Sequence, residues 1–377
     1  MDKKELLGLI ALQHIPGVGS ITAKRLVEGV GSAAQVFEHR TELPTIIPHI
    51  QPSLVDALDC PAAHQRAEKE LEFIDKHHIT CLGYHDEAYP SRLRECDDAP
   101  ILLFYRGNAP LNPRRVVSIV GTRKCTDYGR DLCEGFVRDL AAQCPDVLIV
   151  SGLAYGIDIC AHRAAMKYGL PTVGVLAHGL DRIYPSAHRN TAAQMVDCGG
   201  LLTEYLSHTE PERTNFLQRN RIVAGMADAT IIVESAAKGG SLVTANIANS
   251  YGRDCFTFPG RTTDLSSAGC HRLIRHNQAA LITSADDFIE AMMWDAMQKP
   301  QAIQQSLFPE LNEEESCIVR TLERYPEGAS INTLVVETNI PVHRLSAVLF
   351  ELELRDIVRP LAGSIYKLVL CRRQKSI

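Results

Sequence analysis

Apolar positions change their spacing along the chain, and each change predicts a different kind of structure. Up to about residue 68 the spacing is helical: Leu6, Leu9, Ile10 and Leu12 fall on one face, and no strand-like alternation occurs. From Ile79 the segments ITCLGYHDEAYPSRL and PILLFYRGN predict short strands. Beyond Arg115 apolar runs at 116–120, 147–150, 172–176, 201–204, 230–234 and 254–258 each lead into a loop rich in Gly or Ser. Helical patterns follow the first run, through Leu132, Phe136 and Leu140, and the second, through Ala161 and Ala165. Apolar strands separated by helices imply an α/β fold, an extended Rossmann-like, doubly wound and mostly parallel sheet covered on both faces.

The segment SADDFIEAMMWDAM closes this part near Gln298, and KPQAIQQSLFPELN, with Pro300 and Pro309, reads as a linker. After it, helical patterns at 313–324, 330–338 and 341–354 precede two short runs, 357–361 and 364–369, that flank Ala362-Gly363 as a hairpin. Three helices and a hairpin predict a winged helix. The expected organisation is therefore a helical domain at 1–68, a Rossmann-like domain at 69–298, a linker at 299–312 and a winged helix at 313–377.

With 377 residues, 45% of them hydrophobic and 22% charged, the chain is long enough for several cores, and its composition excludes wholesale disorder. A net charge of −6 means that nucleic acid could be held only by a local basic patch. The 12 cysteines include no C-x-x-C pair, so a zinc site is not indicated and reduced thiols in a cytoplasmic protein are expected. No stretch approaches the roughly 20 apolar residues of a membrane helix, and the apolar start lacks a small-residue cleavage site.

The loops carry the chemistry. Val120-Gly121-Thr122-Arg123 ends the first parallel strand, where a glycine turn and the next helix's free N–H groups suit an anion; Arg123 is either its partner or a surface arginine. Ser151-Gly152-Leu153-Ala154-Tyr155-Gly156 repeats the device, with Asp158 placed to cap or brace. If a helix starts near Leu217, Arg219 and Asn220 lie in its first turn; Arg221, about 200° further round, cannot face the same ligand, so one arginine is structural. Phe216 is a base-stacking platform or a core residue. Lys238-Gly239-Gly240-Ser241 offers close backbone approach and a helix N-cap. Arginines cluster around these loops: Arg114, Arg115, Arg123 and Arg130, then Arg182 and Arg189, then Arg213, Arg219 and Arg221. Several strand ends presenting Gly, Ser or Arg to one edge match repeated phosphates better than one metabolite.

ATP-loop, nucleophile-elbow and zinc-protease motifs are absent, and no catalytic constellation emerges. Near the start, Ile15-Pro16-Gly17-Val18-Gly19-Ser20, with Lys24 and Arg25, has helix-hairpin-helix form; the alternative is a plain turn between helices. The second helix of the winged-helix pair bears Arg344 but also Glu351, Glu353 and Asp356, which suits protein contact better than a DNA groove.

The ordered set VGTRKCTDYG, SGLAYGIDICAH, GLDRIYPSAHRN, FLQRNRIVAG, VESAAKGGSLVTANIA, GRDCFTFPG and SAGCHRLI resembles the DNA-processing protein A family, DprA/Smf, from about residue 89 to 287. The resemblance implies a non-enzymatic protein without cofactor or metal that binds and protects single-stranded DNA, forms a homodimer through its Rossmann-like domain and helps to load the RecA recombinase during natural transformation. Carried over by motif, the binding residues are Arg123, Ser151, Gly152, Phe216, Arg219, Asn220, Arg221, Gly239, Gly240 and Ser241. Leu217 and His271 depart from the family's usual Pro and Asn. Two other readings are a nucleotide-cleaving enzyme of the phosphoribohydrolase type, against which Thr244-Ala245-Asn246 lacks the catalytic glutamate, and a protein-interaction scaffold. On the family reading, Arg123→Ala or Arg219→Ala is expected to weaken binding by roughly 1–3 kcal/mol with folding intact.

Overall fold

The computed structural model describes residues 1–294, 311–325, 328–355, 357–361 and 365–368. The chain divides into two units, Met1–Gln298 and Lys299–Ile377. The first opens with helices α1 (Lys3–His14), α2 (Ser20–Val30), α3 (Ala33–Glu38), α4 (Leu43–Ile46), α5 (Pro52–Ala57) and α6 (Pro61–His77). Ala63, Ala67, Leu71 and Ile74 form one buried stripe on α6, so this helix runs on through the boundary expected near 68. The segment forms α1, a turn with Gly17 at φ +83°, and α2, the two helices and tight connection that both readings of it share. Both of its cations are engaged within the chain: Lys24 donates to the Cys96 carbonyl at 3.3 Å and the exposed Arg25 to that of Pro48.

The sheet is built from β1 (Thr80–Gly83), β2 (Leu102–Gly107), β3 (Arg115–Val120), β4 (Val147–Ser151), β5 (Thr172–Val175), β6 (Gly199–Thr203), β7 (Ala229–Ile232), β8 (Asp254–Thr257) and β9 (Ala280–Leu281). Their spatial order is β1-β2-β6-β5-β4-β3-β7-β8-β9. From β6 to β9 every pairing is parallel, and β2 and β1 extend the sheet antiparallel beyond β6. The helices that follow are α7 (Ser91–Arg94), α8 (Asp127–Gln143), α9 (Ile157–Lys167), α10 (Arg189–Cys198), α11 (Arg213–Gly225), α12 (Gly240–Ser250), α13 (Ala268–Arg275) and α14 (Ala285–Ala291).

Strict alternation inside the apolar strands sorts the two faces. Val117 and Ile119 of β3 pack with Phe136 and Leu140 of α8, Ala161 of α9 and Phe288 of α14. Val116 and Val120 pack the other way, with Ile222 and Val223 of α11 and Leu242 and Ala245 of α12. Each such Val or Ile stabilises the fold by roughly 1.5–3 kcal/mol when fully buried. The amino-terminal helices share a core with the antiparallel extension, where Leu9, Ile10 and Leu12 meet Leu102 and Phe104 of β2. Among the described residues no helix is long and apolar enough to cross a membrane.

In the second unit α15 (Glu313–Glu323), β10 (Ala329–Ser330), α16 (Ile331–Thr338), α17 (Val342–Leu354), β11 (Val358–Leu361) and β12 (Ile365–Leu368) make three helices and a small sheet ordered β10-β12-β11. Leu361 pairs with Ile365, the hairpin register that Ala362-Gly363 predicts. Those two residues, Asp356 and most of the expected linker lie outside the described residues. A capping box between Asn312 and Glu315 starts α15, and Ile318, Leu334, Leu345 and Leu349 form the core. Arg344 pairs with Glu314 at 2.8 Å, so the early cation of α17 is partly neutralised.

Candidate nucleic-acid interface

In an open parallel sheet the strands' carboxyl ends share one edge, and the crevice opens where connections depart to opposite faces. Here that point lies between β3, followed by α8, and β7, followed by α12 on the other face. The two loops are tied together. The Thr122 N–H donates to the Glu234 carbonyl at 2.7 Å, and the buried Glu234 carboxylate accepts from the Thr126 N–H at 2.9 Å and its hydroxyl at 2.8 Å. Across the crevice α12 begins behind Gly239, which supplies no side-chain cap; the Leu242 N–H turns back to the Gly239 carbonyl at 3.2 Å, and the uncapped helix start favours an anion.

Arg123 rises from this crevice, exposed, with its guanidinium carbon 5.2 Å from the centre of the half-buried Phe216 ring. A cation over an aromatic face is an arrangement that serves both a phosphate and a base. Phe216 also touches Tyr184, their ring centres 5.8 Å apart. Tyr184 is held by its loop: buried His178 donates from Nδ1 to the Gly179 carbonyl at 2.9 Å and accepts the Tyr184 N–H on Nε2 at 3.2 Å.

Arg219 is placed differently from the sequence expectation. Helix α11 starts at Arg213, not near Leu217, so Arg219 sits in the helix body, where Arg219, Ile222, Val223 and Met226 form an inward stripe. With 4% exposure, its guanidinium donates to the carbonyls of Gly152, at 2.7 Å, and Val175. Burial pushes its pKa down and the neighbouring Asp158 opposes this; an arginine nonetheless stays charged. Asp158, pushed up by burial and held back by Arg219, accepts from the Ala154 N–H at 3.4 Å, the bracing role its position suggests. Glycine fits at 152 because a Cβ would lie 2.5 Å from Arg219 Nη2 and force the guanidinium to shift.

The remaining expected residues divide by accessibility. Gly239 and Gly240 border the crevice and are reachable. Ser151 is buried and donates to the Ile119 carbonyl at 2.6 Å, and Ser241 is buried and donates to Ser235 Oγ at 2.8 Å. Asn220 Oδ1 lies 3.4 Å from Arg219 Nε. Arg221 pairs with Glu204 and reaches Ser20 of α2 at 3.5 Å, tying the helical segment to the sheet. His271 binds the Gly260 carbonyl at 3.0 Å, so this departure from the family pattern supports the loop after β8.

The cationic rim is also redrawn. Arg114 and Arg115 stand where β3 begins, at the opposite edge, and Arg115 pairs with Asp146 at 2.9 Å. Arg130 pairs with Asp127, and Arg182 with Asp181 at 3.1 Å and Glu210 at 2.5 Å. The exposed cations of the carboxyl edge are Arg123, Lys124, Arg189, Arg213, Lys238 and Arg261, none ion-paired among the described residues. Lys238, Tyr155 and Tyr184 were not singled out by sequence, although each lies in a motif quoted above; an aromatic or Lys inside a Gly-rich loop was the available signal.

Fold and crevice together define an open α/β protein with an anion-receptive switch point. The chain belongs to the DprA/Smf family of DNA processing proteins: the family model described as DNA recombination-mediator protein A matches residues 80–293, and that of the DprA winged helix domain matches 303–364. The putative DNA processing protein DprA of Mycobacterium tuberculosis is 38% identical over 238 residues, an alignment that spans 60% of each chain. The X-ray structure of DNA processing protein A from Streptococcus pneumoniae matches with a TM-score of 0.57 and 32% identity over 73% of this chain and 98% of that one. DNA processing protein A from Helicobacter pylori, whose structure is described for its single-stranded DNA binding mode, matches with a TM-score of 0.52 and 30% identity over 58% of this chain and 97% of that one.

Proposed function

We propose that this chain binds single-stranded DNA at the carboxyl edge of its parallel sheet, without cleaving it, and that it protects incoming strands and helps to load RecA on them during natural transformation. The observation that carries the proposal is Arg123, exposed at the switch point and lying over the Phe216 ring. The free cations of the neighbouring loops supply further phosphate contacts, and the single-stranded DNA binding described for the Helicobacter pylori relative supports the substrate class. Asn220, Arg219, Arg221, Ser151, Gly152 and Ser241 take part by holding the loops. Arg123, Phe216, Gly239 and Gly240 take part by contact. A homodimer through the sheet-bearing unit and a protein-binding role for the winged helix complete the proposal.

The test is a fluorescence-anisotropy titration of a labelled single strand across a salt series, with the matching duplex as competitor. Preference for the single strand, with affinity falling steeply as salt rises, is the expected outcome; equal competition by duplex, or no binding at low salt, overturns it. For the loading step, the rate of RecA-dependent joint formation on strands precoated with single-strand-binding protein is expected to rise when this chain is added. Incubation with nucleoside monophosphates is expected to release no free base, in line with the residues Thr244-Ala245-Asn246 on α12.

A further inference from the structure

The crevice has a second wall that the binding reading above does not use. Tyr155 and Tyr184 are 48% and 47% exposed, each in a loop between strand and helix. Large exposed rings beside free cations are the usual means of holding unstacked bases. Each of these is backed from within. Tyr155 lies edge-on to His188, ring centres 4.9 Å apart, and buried His188 contacts the Leu153 carbonyl through Nδ1 at 2.9 Å. Tyr184 is fixed by His178 and leans on Phe216.

The loops also close on one another. Gly156, next to Tyr155, has φ +78°, and a Cβ there would lie 2.1 Å from the Thr122 carbonyl oxygen and 2.8 Å from Arg123 Cα. The Tyr155 loop is therefore pressed against the backbone of Arg123. On Arg123's other side its guanidinium covers Phe216, Phe216 meets Tyr184, and a single short turn from Pro185 to His188 leads back to Tyr155. Two exposed rings, Tyr155 and Tyr184, are thus linked contact by contact to one exposed cation.

We propose that Tyr155 and Tyr184 are stacking platforms for bases splayed from a single strand whose phosphate rests on Arg123, with Phe216, its ring faced by the guanidinium groups of Arg123 and Arg219, holding that cation in place. This rests on the single-strand reading above and gives that site a path and a length. Duplex is excluded because its bases are already stacked and cannot reach the rings. Stacking on a ring face is tolerant of base identity, so the two rings confer strand selectivity without sequence selectivity.

The test uses the full chain with oligothymidylates of 3, 6 and 12 nucleotides, and a set of 12-mers in which 2-aminopurine replaces thymine at one position at a time. Tyr155→Leu and Tyr184→Leu are each expected to weaken binding of the 12-mer by roughly 5- to 160-fold, the range for one lost base–ring stack, and to remove 2-aminopurine quenching at a different position. Tyr155→Phe and Tyr184→Phe keep the ring and are expected to bind as the parent does. Both residues are exposed, so thermal unfolding of all four variants should match the parent. If the Leu variants bind and quench like the parent while Phe216→Leu weakens binding, the strand does not reach the two rings and the inference is overturned. If the Phe variants lose as much as the Leu variants, the contact is a hydrogen bond and the stacking claim is overturned. If Arg123→Ala and Phe216→Leu are also silent, the underlying single-strand reading has failed instead.

Discussion

The Arg219 guanidinium donates to the Gly152 carbonyl at 2.7 Å, and the missing side chain of Gly152 is the space that the guanidinium fills. Two motifs far apart in sequence are thus one structural device, which fixes the loop after β4 against α11. That loop carries Tyr155 and the helix carries Phe216. The buried arginine thereby sets the relative position of two surface rings without being at the surface itself.

Arg219→Ala is therefore expected to destabilise the protein. It removes two charge-assisted hydrogen bonds to the carbonyls of Gly152 and Val175 and the cation beside Asp158, each such hydrogen bond contributing roughly 1.5–3 kcal/mol. Chemical denaturation should show the midpoint falling, in contrast to Arg123→Ala, which should unfold like the parent. Equal midpoints for Arg219→Ala and the parent would contradict the buried role.

Gly152→Ala places a methyl group within 2.5–2.7 Å of the guanidinium atoms of Arg219. Displacing a hydrogen-bonded guanidinium in a packed interior costs roughly 1–3 kcal/mol. A thermal shift assay should show a lowered Tm. Single-strand affinity should also fall, because α11 moves with its arginine.

His162 gives the protein an acid sensitivity. The ring is fully buried on α9, its Nδ1 lies 2.7 Å from Thr172 Oγ1, and burial, followed by Arg219 and His188, pushes its pKa down to about 3. Below the ordinary value of 6.5 the unfolded chain takes up a proton that the folded chain refuses. Stability is thus complete above pH 6.5 and falls as pH drops towards 3, by about 1.4 kcal/mol per pH unit for this one group. His178, also pushed down by burial, acts with the same sign, while the raised carboxyls of Asp158 and Glu204 act with the opposite sign. Unfolding free energies of parent and His162→Gln at pH 7, 6 and 5 isolate the His162 proton: the variant's dependence should be shallower, and identical slopes would contradict the assignment.

The sheet was legible because β3 to β8 are short, mostly apolar runs, each followed by a loop rich in glycine or serine, and that pattern survives any placement of the helices. β9, only two residues long, leaves no periodic trace. The site was legible as a set of loops but not as a set of exposed side chains. Placing the start of α11 near Leu217 put Arg219 at a helix end, whereas the chain turns helical at Arg213, directly after Pro211-Glu212. The spacing of Arg219, Ile222, Val223 and Met226 carried the correct answer, an inward stripe, but a charged residue at its head masks it. Arg114 and Arg115 stand at the start of the first parallel run, at the other end of β3 from its loop, which the sequence already implied although proximity along the chain groups them with the loop cations; which arginines spend their charge on Asp127, Asp181 and Glu204 it could not show. Arg130 with Asp127 and Arg182 with Asp181 are local pairs, but Arg221 with Glu204 and Arg182 with Glu210 join residues 17 and 28 apart, which only the fold brings together.

The central claim, that a single strand is held at the switch point by Arg123, is tested most directly by the salt dependence of single-strand affinity in the parent and in Arg123→Ala. Losing one phosphate contact should flatten the slope of log affinity against log salt by about 0.7 and weaken binding at low salt by roughly 1–3 kcal/mol, with the unfolding transition unchanged. An unchanged slope and affinity in Arg123→Ala would contradict the account.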